Sequence, residues 1–278
     1  MENLIKESDK FLGMINSHYG NSLKSLQILD CLSLAQGFIG ITALCETTGL
    51  SAGTVHRILQ EMVGAGYVSK DMEQKKYRIG LKAISMAMRI KSSDYITEIA
   101  HAEMQRLNEL SSETVRLVTL DGDEGMHLAQ LEAKNRVGLY TLVGLKVPLY
   151  CTGSGKSILA YFSKDRLYQY LLRVPLKRYT NKTLQNRDDF YKEMEQIAEQ
   201  GYALDRGEYY PDIIVVAASI FTTEQTRECS IAVAAPSYRF TQEHAHALAP
   251  EVMRSANEIS KLIQMHSQTS PCLSRNSE

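Results

Sequence analysis

Residues 40–80, GITALCETTGLSAGTVHRILQEMVGAGYVSKDMEQKKYRIG, read as a helix, a tight turn, a second helix and a two-stranded hairpin. Thr42 marks the first helix ahead of Ala43, Leu44 and Cys45, and Gly49 ends it, because a residue without Cβ makes the left-handed turn at no steric cost. Ser51 caps the second helix, its hydroxyl placed to accept from the amide of Gly53 or Thr54. Val55, Ile58, Leu59 and Met62 follow at helical spacing, which gathers them on one buried stripe. The face left over carries Ser51, Ala52, Thr54, His56, Arg57 and Gln60, all small, hydrogen-bonding or cationic. Such a face suits the major groove of B-DNA, where base edges are read from the N-terminal turn. Arg57 is the stronger expected contact, since its forked donors match phosphates and bases; His56 reads equally well as a solvated helix residue. Gly64 and Gly66 close the helix, Tyr67 and Val68 begin a strand, Asp71 to Gln74 turn the chain, and residues 75–79 return. Lys75, Lys76 and Arg78 place three cations in that hairpin, where each can displace a counterion from a phosphate. The expectation is a winged helix-turn-helix.

Charge divides in the same place. Residues 21–95 hold nine Lys or Arg against six Asp or Glu, and residues 96–278 hold twenty against twenty-three, so a net charge of −1 conceals a cationic module joined to an acidic one. With 278 residues and 44% apolar content, the chain is long enough for two cores. Its five cysteines are odd in number and lack C-x-x-C spacing, which argues against a disulfide framework or a zinc site; no metal or cofactor is implied. The N-terminal MENLIKESDK has no apolar signal region, and the apolar run Ile213 to Ile220 is too short to span a bilayer. A cytoplasmic protein without membrane contact is expected.

Further along, Ser22 reads as the cap of a helix carrying Leu23, Leu26, Ile28, Leu29 and Leu32, the third helix of the N-terminal core. The expected divisions are a flexible N-terminus (1–20), a winged helix-turn-helix domain (21–80), a helical linker (81–95), an effector domain (96–265) and a disordered tail (266–278). The effector domain opens with a hairpin, TVRLVTL (114–120) and GMHLAQL (125–131), and a further strand pair is expected around VGLYTLVG (137–144). Residues 155–163 and 188–200 read as amphipathic helices, 213–221 and 229–236 as buried strands, and 243–265 as a long helix. Strands mixed with segregated helices point to an α+β sensor fold.

Several ordered motifs together resemble the IclR family of bacterial transcriptional regulators: SLKSLQILDCL, GLSAGTVHRILQEMVGAGYV, YRIGLKAISMA, VPLYCTGSGKSILAYF and GYALDRGEY, spanning roughly residues 21–265. The resemblance implies a dimerising winged helix-turn-helix, a helical linker and a GAF-like α/β effector-binding domain for a small metabolite, often a carboxylate. It also implies a homodimer or tetramer on a palindromic double-stranded DNA operator. The segment Thr152-Gly153-Ser154-Gly155 makes sense as a carboxylate cradle, with backbone amides and hydroxyls at the start of a helix. A nucleotide-binding phosphate loop is excluded, because Tyr150 stands where G-x-x-x-x-G-K-S needs glycine. Lys156 reads as solvated. Met126, Leu128 and Tyr140 are the remaining expected pocket residues, with Asp205 and Glu208 at the pocket mouth or as solvated loop carboxylates.

The chain departs from the family pattern in places that bear on the ligand. Val215 and Ser219 replace a familiar cysteine and proline, and Ala232 and Ala234 stand where serines commonly alternate. Losing a thiol and two hydroxyls removes groups that would hold a polyhydroxylated ligand, so an effector less polar than a sugar acid is expected. Gly53 supplies no side-chain contact in the first turn of the reading helix, where relatives often carry Lys or Ser. It favours an alternative in which the winged helix serves only interaction. A hydrolase using Cys151 or Ser154 with His127 and a carboxylate is a further alternative, but no G-x-S-x-G elbow supports it.

Overall fold

A computed structural model describes residues 21–35, 37–91, 95–134, 142–222 and 228–269. The chain divides into two units, Met1–Asp94 and Tyr95–Glu278.

In the first unit, α1 (Asn21–Leu34), α2 (Ile41–Thr48) and α3 (Ala52–Gly64) precede the hairpin β1 (Val68–Asp71) and β2 (Lys76–Ile79), and α4 (Leu81–Lys91) follows. Ile28, Leu32, Leu44, Val55, Ile58, Leu59, Met62, Val68 and Tyr77 form one buried cluster. The hairpin therefore closes the same core that the helices build. Gly49 adopts φ 69° and its amide donates to Cys45 O, the left-handed exit that its missing Cβ permits. Three expectations are corrected here. Ser22 lies inside α1 rather than at its cap, Thr42 lies inside α2, and the α2 cap is Gly40 with no side-chain bond. Leu23 and Leu26 are 47% and 54% exposed; Gln27 and Cys31 take inward places instead, and Gln27 Nε2 donates to Thr48 O at 3.2 Å. One buried amide satisfied by a helix-terminal carbonyl links α1 to the end of α2.

The second unit is a six-stranded sheet in the order β5-β4-β3-β8-β7-β6. Its strands are β3 (Thr114–Asp121), β4 (Glu124–Leu131), β5 (Lys146–Pro148), β6 (Ala203–Asp205), β7 (Ile213–Ile220) and β8 (Cys229–Pro236), and every neighbouring pair is antiparallel. This is the expected α+β class. On one face α5 (Tyr95–Ser111) and α9 (Gln242–Thr269) cover a core that includes Val115, Leu117, Val216, Ile231 and Val233. Arg106 clamps these helices together, donating to Glu103 and Glu251 carboxylates and to Ser255 Oγ. The other face carries α6 (Gly153–Leu159), α7 (Lys164–Arg173) and α8 (Arg187–Gln200) around Leu149, Cys151, Tyr170 and Phe190.

Element boundaries differ from expectation where caps decide them. The helix expected at 155–163 begins two residues earlier and stops at Leu159, because Ser163 caps α7 by accepting from Arg166 N. Asn186 caps α8 through the amides of Asp188 and Asp189. The expected tail begins too early, since α9 runs to Thr269 and His266 stacks on Tyr95 with centroids 4.9 Å apart. Residues 135–141, including Tyr140, lie outside the described residues, and Val143 and Gly144 form a turn leading into β5.

Candidate functional site

On α3 the local chemistry separates two faces. Val55, Ile58, Leu59 and Met62 are buried, while Ala52, His56, Arg57 and Gln60 are exposed. Ser51 Oγ accepts from Thr54 N at 3.4 Å and lies 2.9 Å from Thr54 Oγ1, so both hydroxyls are ordered at the first turn of α3. Arg57 lies 2.7 Å from Glu61 one turn along, both well exposed. That pairing costs little to break, since exposed i,i+4 ion pairs contribute about 0.3–0.5 kcal/mol. Gly53 meets nothing within 4 Å of where a Cβ would stand, so the fold itself places no demand on it.

In the hairpin, Asp71 Oδ1 accepts from Glu73 N and Gln74 N, both at 2.9 Å, which fixes the turn. Lys75 sits in that turn at φ 52°, and Lys75, Lys76 and Arg78 are exposed. The Arg78 guanidinium lies 4.7 Å from the centre of the Phe38 ring, a stack that orients it while leaving it in solvent. Lys82, which sequence reading left unassigned, is committed to structure through Ala65 O and the Tyr67 ring.

In the sheet unit, Val215, Ala217, Ala232 and Ala234 form a small separate cluster with Ile213 on the face that carries α6. Gly153 stands over it: a Cβ there would come 3.0 Å from Val215 Cγ1. Met126 and Leu128 lie on the other side. Met126 is opposite Thr119, which is opposite Cys229 of the large core, and Leu128 packs against that core. The register shift at Leu117/Val118 instead brings His127 and Gln130 both onto the α6 face, opposite Val118 and Arg116. Arg116 Nε donates to Gln130 Oε1 at 3.1 Å, and desolvation lowers its pKa to about 10. Sequence reading missed this arginine. The available signal was a lone cation among Val115, Leu117, Val118 and Leu120 of the strand.

The expected cradle is partly occupied by its own structure. Thr152 Oγ1 donates to Pro148 O and accepts from Gly155 N, leaving the amides of Gly153 and Ser154 as the first-turn donors outside the helical ladder. Asp205 and Glu208 are buried, not solvated, and Lys156 is 0% exposed. Lys156 Nζ lies 2.5 Å from both Glu193 Oε1 and Glu208 Oε1. Desolvation pulls the lysine down, but Glu208, Glu193 and Asp205 outweigh it and hold its pKa above the ordinary value. Asp205 Oδ1 accepts from the amides of Gly207 and Glu208, pinning the turn after β6.

Burial first, and then Glu208, raise the Asp205 carboxyl to about 7 despite Lys156. A carboxyl whose pKa is raised on folding favours the folded state below its unfolded value, and this contribution is lost as pH rises through the folded value. Asn keeps the Oδ1 acceptor and removes the proton. The melting temperature of Asp205→Asn relative to wild type should therefore rise between about pH 4 and pH 7. A difference constant across that window would show Asp205 ionised throughout.

Cys151 is fully buried, and burial pushes its thiol well above the ordinary range, the reverse of what a nucleophile needs. Ser154 is buried in the first turn of α6. No helix among the described residues is long and apolar enough to cross a membrane.

A winged helix-turn-helix unit followed by an antiparallel sheet unit with a small-residue floor defines a class of two-domain DNA-binding regulators. Two family models match: the IclR helix-turn-helix domain over residues 23–72, and the bacterial transcriptional regulator IclR C-terminal domain over residues 88–261. The chain belongs to the IclR family of transcriptional regulators. It is 29% identical over 244 residues to the HTH-type transcriptional regulator KdgR of Escherichia coli strain K12, covering 88% of this chain and 92% of that one. The transcriptional repressor IclR of the same organism is 26% identical over 238 residues, covering 85% and 87%. Among solved structures, the IclR of Thermotoga maritima superposes with a TM-score of 0.73 at 29% identity, covering 87% of this chain and 98% of that chain. An IclR homologue of Microbacterium hydrocarbonoxydans complexed with 4-hydroxybenzoate shares the fold, with a TM-score of 0.77 at 18% identity, covering 90% and 100%.

Proposed function

We propose that this chain binds a specific palindromic operator through α3 and the β1–β2 wing, and that a small carboxylic acid bound by the sheet unit modulates that binding. The observation that carries the DNA reading is the division of α3. One stripe is wholly buried, Ser51, Ala52, His56, Arg57 and Gln60 are exposed with Thr54 partly so, and Lys75, Lys76 and Arg78 are exposed on the hairpin. The first set would read base edges and the second would neutralise phosphates. Exposed Leu81, Ile84, Met86 and Met88 on α4 supply an apolar surface for a homodimer or tetramer, and two-fold symmetry would match a palindrome.

The acid would lie on the α6 face of the sheet, over Val215, Ala232 and Ala234, with Gly153 and Ser154 amides at one end. The apolar floor supports an effector less polar than a sugar acid, an aliphatic or aromatic one. A relative with this fold is complexed with an aromatic acid, 4-hydroxybenzoate. The buried cluster of Lys156, Asp205 and Glu208 would shape the end of the site near Val215, since Asp205 stands opposite it on β6.

A gel shift with the DNA upstream of the protein's own coding sequence tests the reading. Arg57→Ala should weaken binding, and replacing Lys75, Lys76 and Arg78 together with Ala should lower the slope of log affinity against log salt by about one for each phosphate that is no longer neutralised. Unchanged affinity and unchanged slope in Arg57→Ala would leave α3 outside the groove and favour a module that only assembles with protein.

A further inference from the structure

The α6 face of the sheet carries two buried polar atoms, on Thr114 and His127, that have no hydrogen-bond partner among the described residues. Along β3, Val115 and Leu117 enter the large core, so Thr114 and Arg116 face the other way, in register with Ala234 and Ala232 of β8. After the irregularity between Leu117 and Val118, His127 on β4 joins the same face opposite Val118. Thr114 is 1% exposed and His127 5%, yet among the described residues Thr114 Oγ1 and His127 Nδ1 have no hydrogen-bond partner. Buried polar atoms left in this state are uncommon in folded proteins and call for an explanation. Both lie beside Arg116, whose Nε is positioned by Gln130, whose partner on β8 is Ala232, and whose charge Tyr210 also favours within its buried setting. The His127 ring is neutral, its pKa lowered to about 3 by burial and then by the Arg116 charge, so Nδ1 can donate or accept according to tautomer.

We propose that Arg116, flanked by Thr114 and His127, is the anchor for the effector's carboxylate, with the apolar body of the acid lying over Ala232, Ala234 and Val215. The anchor rests on the effector reading above and adds to it where the charge of the acid is held. An arginine at the edge of an alanine floor, with a hydroxyl and a neutral imidazole beside it, offers a carboxylate charge-assisted and neutral hydrogen bonds together. The rest of the floor offers only apolar area. A ligand of this class is a monocarboxylic acid with an aliphatic or aromatic body.

Isothermal titration of the full-length protein with benzoate, hexanoate and gluconate, and with the neutral twins benzamide and hexanamide, tests the anchor. Wild type should bind benzoate or hexanoate at least about tenfold more tightly than the matching amide, and Arg116→Gln should abolish that preference. Arg116→Lys should restore part of it, since it keeps the charge and loses the fork. Thr114→Val provides a readout that a merely structural hydroxyl would not give. It should leave the unliganded protein as stable as wild type or more so, because no partner is lost, yet weaken acid binding. Equal acid affinity in wild type, Arg116→Gln and Thr114→Val overturns the anchor while leaving the acid-sensor reading intact. Tighter binding of gluconate than of benzoate and hexanoate overturns the apolar effector and the anchor's ligand class with it. Binding of none of the three acids by wild type overturns the acid-sensor reading itself.

Discussion

Lys156→Met is expected to destabilise the sheet unit by about 3–5 kcal/mol near neutral pH, a large part of a typical domain's stability. The lysine is fully buried, and its ammonium faces Glu193, which Arg206 also approaches at 3.9 Å, and Glu208, with Asp205 close enough to raise its pKa. Methionine fills similar volume, so the loss comes from charge. Removing the lysine leaves the buried Glu208 and Asp205 desolvated without their cation, and Glu208 Oε2 already lacks a hydrogen-bond partner among the described residues. The effect carries a pH signature. Glu208 and Asp205 have carboxyl pKa values raised by burial, and without the lysine they rise further. Groups raised on folding favour the folded state at low pH and lose that contribution as pH rises, so the variant should melt nearest to wild type in acid and furthest from it above neutrality. Adding Glu208→Gln should recover part of the loss. Calorimetry of the intact chain, with the two units treated as separate transitions, measures this. A Lys156→Met transition coincident with wild type at pH 8 would mean that the cluster stabilises nothing.

The same lysine shows where sequence reading ran out. Its partners lie 37 and 52 residues away, and nothing local distinguishes a lysine in Gly-Lys-Ser from a solvated one. The N-terminal unit was legible because its signals are short-range: a serine cap, an apolar stripe at helical spacing and a glycine exit all lie within a few residues of what they determine. The strands 213–220 and 229–236 were legible as continuous apolar runs, since strands covered on both faces need no alternation. The facing of β4 was not. Met126 and Leu128 lie on the face opposite the one proposed to hold the acid, and one residue of register separates them from His127. The break in pairing between Leu117 and Val118 is what lets Arg116 and His127 share a face, and a β-bulge leaves little trace in a single sequence. The floor residues Val215, Ala232 and Ala234 came from departures against a family pattern, and they do cluster in space. Such residues are found by comparison, because no periodicity marks an alanine as a floor.

Gly155→Ala is expected to prevent the sheet unit from folding normally, whereas Gly153→Ala, two residues earlier in the same motif, should leave it folded. At Gly155 a Cβ would stand 2.2 Å from both Cα and O of Leu149, in the buried turn that α6 packs against. Both sides of that overlap are backbone, so no rotamer relieves it; the helix or the turn must move, and overpacking of this kind costs about 1–3 kcal/mol even where side chains can adjust. The amide of Gly155 also donates to Thr152 Oγ1, so a displaced helix loses its cap. Gly153 differs in what it faces. Its Cβ would meet Val215 Cγ1 at 3.0 Å, a side-chain approach that a shift of a few tenths of an ångström can relieve, and alanine in a helix recovers about 0.5–1 kcal/mol relative to glycine. The added methyl would fall between α6 and the Val215 floor, where the acid is proposed to lie. Gly153→Ala should therefore keep its melting temperature within a few degrees of wild type while losing acid binding, and Gly155→Ala should lose the sheet-unit transition altogether. Thermal melts of both variants decide the matter: a folded Gly155→Ala with an unfolded Gly153→Ala would reverse the assignment of the packing glycine and the ligand-facing one.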